Sequence, residues 1–233
     1  MVLKTSVTLN LFFVRHKMIF LAIKQSRYLK FSSKVKVSGL PSGSKRKSVK
    51  PRVLLDACGS VAGIKFGSLC CCFSDWAEVR VVASKSSLHF LDKLSLPQEV
   101  TLYTDEDEWS SCFKIGDPVL HIELSSWADV FVIAPLSANT LANIAHGLCD
   151  NLLTCIVRAW DYSKPLFVAP SMNTLMWNNS FTERHLLSLN KLGITLIPPI
   201  RKSNGVMTEP CLINSTVIHF WESQAHLQSG GRS

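Results

Sequence analysis

The chain has 233 residues, 47% of them hydrophobic, with 25 Lys+Arg against 17 Asp+Glu for a formal charge of +8. That composition excludes a disordered or collagen-like chain, and no uninterrupted apolar run reaches the ~18–20 residues a membrane span needs. Residues 1–50 hold 12 of the basic residues and no acid, so the other 183 carry a net −4. A nucleic-acid-binding surface spreads Lys and Arg over the globular part, so no nucleic-acid partner is expected.

Residues 1–50 form a basic, acid-free, Ser-rich extension whose most apolar stretch, Leu11–Ile23, is broken by Arg15, His16 and Lys17. Pro41–Ser48 has the composition of a linker. Acid-poor and containing Arg and Ser, the extension is similar to an organelle transit peptide. The alternatives are a disordered tail or a mispredicted start of translation. Lys45-Arg46-Lys47 also suits a nuclear address or an anionic-surface patch. The remainder divides into a domain over 51–228, large enough to bury a core, and a tail over 229–233. The expected location is cytoplasmic, with organelle import through residues 1–50 as the variant.

In chain order, Arg52–Leu55 reads as a buried strand entering a tight turn at Cys58-Gly59-Ser60, and 61–73 suits a helix. Glu78–Ala83 is the next strand, and Ser84-Lys85-Ser86-Ser87 opens a turn and helix with Ser as cap. Asp105–Glu108 reads as a solvated loop or helix start; the turns and Gly of a hard-cation site are missing. Ala128–Ala134 is almost wholly apolar, as at the centre of a parallel sheet. Ser137-Ala138-Asn139-Thr140 opens a helix, Pro165–Ala169 is a strand, Thr182–Leu192 a helix and Ile194–Ile197 a short last strand. This alternation predicts an α/β fold: one doubly wound, mostly parallel sheet with helices on both faces and ligands at the carboxyl ends of its strands.

The eight cysteines include Cys70-Cys71-Cys72 and no C-x-x-C pair or zinc-like spacing. They read as reduced, mostly small apolar residues of a reducing compartment, and no metal is expected. Three strand ends carry small or hydroxylated residues: Gly59-Ser60-Val61, Ser84-Lys85-Ser86 and Ser137-Ala138-Asn139-Thr140. Such ends present N–H groups and hydroxyls where phosphates bind, and three of them favour a phosphorylated cofactor over ordinary turns. Neither G-x-G-x-x-G nor a P-loop is present.

Four segments stand in a characteristic order: Gly59–Ala62, Ala134–Thr140, Gly147–Leu153 and Pro170–Trp177. Together they resemble the homo-oligomeric flavin-containing cysteine decarboxylases, specifically the phosphopantothenoylcysteine decarboxylase family, over about Lys50 to Gln228. The resemblance implies FMN as cofactor, 4′-phosphopantothenoylcysteine as substrate, and a homotrimer with FMN between subunits and the His supplied by a neighbour. It implies oxidation of the cysteinyl thiol side, loss of CO2 from the resulting thioaldehyde, and reduction of the enethiol to 4′-phosphopantetheine, a step of coenzyme A synthesis. By motif, Gly59, Ser60, Val61, Ser84, Lys85, Ser86, Ser137, Ala138, Asn139, Thr140 and Ser171 would hold FMN. His121 falls at the catalytic histidine, although a lone His between apolar neighbours is ordinarily a satisfied core residue. Asn173 matches the residue that holds the substrate carboxylate, a neutral donor that does not oppose loss of the charge as Arg would. His89, His185 and His219 are read as structural or exposed, and Met172, Met176 and Trp177 as a lid or subunit contact, with core as the alternative.

The chain departs from that pattern in places. After Ile197-Pro198-Pro199-Ile200 the family has a Gly-rich flap whose Cys donates the final proton; here Arg201–Pro210 is shortened and has no cysteine. Cys211 lies beyond Glu209-Pro210 and is not assigned that role. The reductive half of the reaction is therefore in question. Asp56 stands near the first phosphate-facing turn, where a carboxylate costs binding unless it points away or is protonated. His146 and Ser171 replace smaller residues. The resemblance also leaves two other activities open: a non-catalytic FMN-binding trimer that regulates protein phosphatases, and a peptidyl-cysteine decarboxylase.

Overall fold

A computed structural model describes residues 50–110, 114–199 and 207–229. Most of the basic extension, Cys112, the flap segment 200–206 and residues 230–233 lie outside the described residues. The chain divides into two units, Met1–Ser48 and Val49–Ser233, and the described residues belong to the second.

The sheet is built from β1 (Arg52–Ala57), β2 (Glu78–Ala83), β3 (Thr101–Thr104), β4 (Val130–Leu136), β5 (Leu166–Pro170) and β6 (Thr195–Leu196). All pairings are parallel and the spatial order is β3-β2-β1-β4-β5-β6. Every residue of β4 and β5 is buried, as strands covered on both faces require. The fold is thus the doubly wound α/β sheet expected, and its order reverses between the adjacent strands β1 and β4.

Strand alternation sorts the core. Val53, Leu55 and Ala57 face one layer, where α1 (Phe66–Ser74) and α8 (Pro210–Ser229) supply Phe66, Leu69, Phe73, Ile213 and Val217. Leu54 and Cys58 face the other, formed by α3 (Leu120–Trp127), α4 (Ala138–His146), α5 (Leu152–Ala159) and α7 (Ser180–Lys191). The shorter helices α2 (Asp105–Ser110) and α6 (Thr174–Trp177) sit at loop positions.

Local chemistry sets the helix ends. Ser137 caps α4 by accepting from Thr140 N at 3.2 Å, and Gly147 ends it at φ 71°, a left-handed conformation that favours glycine. Asn151 and Thr154 form a capping box for α5. Pro210 begins α8, where its missing N–H costs nothing. Two sidewise contacts hold α8 against the first layer: Lys65 Nζ to Glu209 Oε1 at 2.7 Å and Trp76 Nε1 to Asn214 Oδ1 at 2.8 Å. Just before α8, Thr208 Oγ1 donates to Pro198 O at 2.6 Å.

Two expectations need correction. The helix read at 61–73 begins as a 3-10 turn, Val61–Lys65, before α1. No α-helix follows Ser84–Ser87; only a one-turn 3-10 segment, Ser87–His89, forms there, and Ser86 makes no cap. The chain turns away instead, because Asp92 accepts from Leu94 N and Ser95 Oγ donates back to Asp92 O. No helix among the described residues is long and apolar enough to cross a membrane.

Candidate active site

The three turns named in the sequence follow β1, β2 and β4, and Ser171 follows β5, so all lie at the carboxyl ends of strands around the reversal of strand order. In doubly wound sheets this crevice takes the ligand. Cys58 N donates to Pro135 O at 3.2 Å and Ser171 N to Leu136 O at 2.9 Å, tying the ends of β1 and β5 to β4. Ser60 Oγ reaches Ser171 Oγ at 3.0 Å and accepts from Ala62 N at 3.4 Å. Ser84 Oγ lies 3.2 Å from Ser86 Oγ. The first two turns are pressed together: a Cβ on Gly59 would stand 2.4 Å from Ser86 Oγ and 2.7 Å from Ser86 Cβ. Only glycine lets the backbone approach so closely. Ser137 Oγ completes the rim as cap of α4, 3.1 Å from Thr140 Oγ1. Lys85 and Asn139 are exposed at their turns and Val61 is 66% exposed.

These residues fit a phosphorylated flavin. They offer hydroxyls and backbone N–H groups at helix starts, with Lys85 as a cation, and Gly59 lets the first two turns close on each other. The neighbouring carboxyl does not oppose an anion. Asp56 is wholly buried between Val82 and Ile133 of the flanking strands, and neither oxygen has a hydrogen-bond partner. Burial, reinforced by the charge of Asp105, raises its carboxyl pKa well above the ordinary range and so favours the neutral form. The adjoining Cys58 thiol is pushed up to about 12 by burial and is inert.

His121 is the second residue of α3, which leads into β4 and so begins at the carboxyl-end side of the sheet. Its Nδ1 lies 2.6 Å from Glu108 Oε1 of α2, not against any of the serine turns. Asn173 is exposed and caps α6, its Oδ1 accepting from Leu175 N at 2.8 Å. Met172 is buried core, whereas Leu175 and Met176 are exposed and Trp177 is partly buried. His146 and His185 meet edge to face at 4.9 Å away from these groups, and burial followed by the nearby His146 lowers the His185 pKa.

Glu108 was not singled out by sequence reasoning. The acidic run starts a helix, and its carboxylates are largely engaged, not solvated. Asp107 accepts from Thr104 N and Oγ1 at 2.7 and 2.8 Å, Asp105 accepts from Leu152 N at 2.9 Å, and Glu108 holds His121. The seven cysteines among the described residues are free. Burial raises the thiols of Cys70 and, to about 11, Cys155. No cluster of three or more His, Cys, Asp or Glu able to hold a metal occurs among the described residues.

The chain is 78% identical over 191 residues to a phosphopantothenoylcysteine decarboxylase of Arabidopsis thaliana, covering 79% of this chain and 91% of that one. A solved cysteine-to-serine mutant of PPC decarboxylase, complexed with pantothenoylaminoethenethiol, is 78% identical at a TM-score of 0.73, covering 74% of this chain and 99% of that one. The FMN-binding protein AtHal3 matches with 78% identity and a TM-score of 0.73, over 75% of this chain and 98% of that one. The pattern of the Flavoprotein family matches residues 41–221. With its phosphate-ready turns joined at the reversal of the sheet, the chain belongs to the Flavoprotein family.

Proposed function

We propose that this chain is an FMN-dependent decarboxylase of 4′-phosphopantothenoylcysteine in coenzyme A synthesis. The observation that carries the reading is one hydroxyl-lined cradle, joined through Ser60 and Ser171, in a chain 78% identical to a phosphopantothenoylcysteine decarboxylase. FMN bound there supplies the two-electron oxidation that labilises the substrate carboxylate. The backbone and hydroxyls of Gly59, Ser60 and Val61, of Ser84, Lys85 and Ser86, and of Ser137 to Thr140 bind and orient the cofactor. Ser171 closes it from the end of β5. Asn173 holds the substrate carboxylate through its amide NH2, and His121 positions or polarises that carboxylate until CO2 leaves.

The working unit is proposed to be a homotrimer, with His121 of one subunit serving the cradle of the next. Exposed apolar side chains after two of the strands support this: Val61 and Ile64 after β1, and Leu175, Met176 and Phe181 after β5, are 66%, 70%, 83%, 49% and 58% exposed. The proposed site of action is the cytoplasm, in keeping with the free thiols. The flap segment 200–206 has no cysteine to protonate the last intermediate. The enethiol is therefore proposed to be the main product, with the reduced flavin returned to FMN by dioxygen before the next turnover.

The test is CO2 release from 4′-phosphopantothenoylcysteine by the FMN-loaded protein, with His121→Asn in parallel. Release by the wild type and its loss in the variant are expected. FMN binding with no CO2 from either protein would replace the enzyme with a binding module.

A further inference from the structure

The acidic run contains one carboxylate whose placement the helix itself does not explain. Asp105 and Asp107 serve backbone N–H groups next to them in the fold, and Glu106 is exposed. Glu108 instead turns inward onto a ring from another helix, Oε1 to Nδ1 of His121 at 2.6 Å, just shorter than the ~2.7–2.9 Å of charge-assisted N–H···O bonds. The acid is the more shielded partner, with side-chain exposures of 11% for Glu108 and 25% for His121. Its second oxygen, Oε2, is buried with no hydrogen-bond partner. A carboxylate taken out of water and left half unsatisfied is costly. A solvated surface pair carries no such cost, so stability is a poor reason for this contact.

Orientation is a better one. A neutral imidazole has two tautomers, and the hydrogen bond at one nitrogen decides which nitrogen faces outward and in what state. With Nδ1 engaged by Glu108, Nε2 is the nitrogen left for a substrate. The carboxylate is itself held, because Asp107 binds the end of β3 and Asp105 binds the start of α5, which fixes both ends of the turn that carries Glu108. A base oriented by a third group fixed in the scaffold is a recurrent arrangement in enzymes.

We propose that Glu108 is a positioning residue for the decarboxylation: it accepts the Nδ1 proton of His121 and so presents Nε2 to the substrate. The proposal rests on the reading of His121 as the catalytic histidine. Glu108 touches neither substrate nor cofactor.

Three variants of the FMN-loaded protein test it. Glu108→Leu removes the acceptor and keeps an apolar filling. Glu108→Gln keeps an acceptor without the charge. His121→Asn identifies the histidine signal and checks the underlying reading. Expected for Glu108→Leu is a fall in kcat of about 10–100-fold with KM within about twofold. Glu108→Gln should recover much of that loss. Long-range proton–nitrogen NMR, at a pH where the ring is neutral, should show the Nδ1–H tautomer at His121 in the wild type and Glu108→Gln, and its loss in Glu108→Leu. An unchanged tautomer in Glu108→Leu overturns the proposal, whatever happens to its stability. So does a wild-type kcat in that variant while His121→Asn is inactive; the reading of the site would then stand. Full activity in His121→Asn removes the reading of the site, and the proposal with it.

Discussion

Replacing Asp56 with alanine should make the protein more stable, and the gain should grow with pH. Three terms set the size. The buried carboxyl has no hydrogen-bond partner even when neutral, a penalty of about 1–3 kcal/mol. Alanine leaves a carboxyl-sized void of about 30 Å³, which at about 24 cal/mol per Å³ returns roughly 0.7 kcal/mol of that gain. The third term is linkage. Burial raises the carboxyl's pKa in the folded state, so the folded chain holds a proton that the unfolded chain releases near pH ~4. Stability is therefore fully present below the ordinary aspartate range. It falls by about 1.4 kcal/mol per pH unit above that range until the buried carboxyl itself ionises. Asp56→Ala abolishes that slope. Thermal unfolding of both proteins between pH 4 and 8 should give curves that diverge as pH rises, each kcal/mol being worth about 2–4 °C in Tm for a domain of this size. Asp56→Asn, polar but without a charge to form, should lose the slope and keep much of the neutral penalty. Parallel pH curves for wild type and Asp56→Ala would refute the reasoning and mean that the carboxylate finds water or a cation.

Other outcomes follow from the same structure. Mass analysis of the reaction product should show the decarboxylated enethiol, lighter than 4′-phosphopantetheine by two hydrogens; the saturated thiol as main product would show that the flap cysteine is dispensable. Gly59→Ala forces Ser86 to move away from a Cβ at 2.4 Å, at about 1–3 kcal/mol. Equilibrium dialysis should then show FMN binding weakened roughly tenfold. At the opposite end of β1, Arg52 NH2 pairs with Asp129 Oδ1 at 2.8 Å. Burial pushes the Asp129 carboxyl up, but the hydrogen bonds from Arg52 outweigh it and hold the pKa below the usual value. Asp129→Asn should therefore cost up to about 1 kcal/mol at neutral pH, the pair being partly exposed, and the deficit should vanish as pH falls below the ordinary aspartate range. Urea unfolding at both pH values checks this.

The central strands could be read from the sequence because their apolar runs, such as Val130–Leu136, are buried on both faces. β3 could not: Thr101–Thr104 is a four-residue edge strand with no fully buried residue, and its pairing with β2 is the only thing that makes it a strand. The α8 helix was also missed, since Pro210–Ser229 mixes polar and apolar residues around its axis. The serine turns were visible as local composition, but the Ser60–Ser171 bond joins residues 111 apart in the chain. Glu108 and His121 are 13 apart on separate helices, a spacing to which no helical or strand period corresponds. The acidic run looked like solvent-facing charge because sequence does not show which backbone N–H groups a fold leaves to be satisfied.

The bond from Thr208 to Pro198 clasps the two sides of the segment between them, while Ile197 N donates to Val168 O at 2.9 Å and Glu209 is tied to Lys65. The ends are therefore held by the scaffold whatever lies between them. Doubling the length of a flexible connection costs only about 0.6 kcal/mol. An insertion or deletion between ends held in this way should cost folding little, so its effect is expected in the chemistry. A longer, cysteine-bearing segment could be grafted between Pro199 and Met207 and judged by its product while the rest of the protein stays as it is.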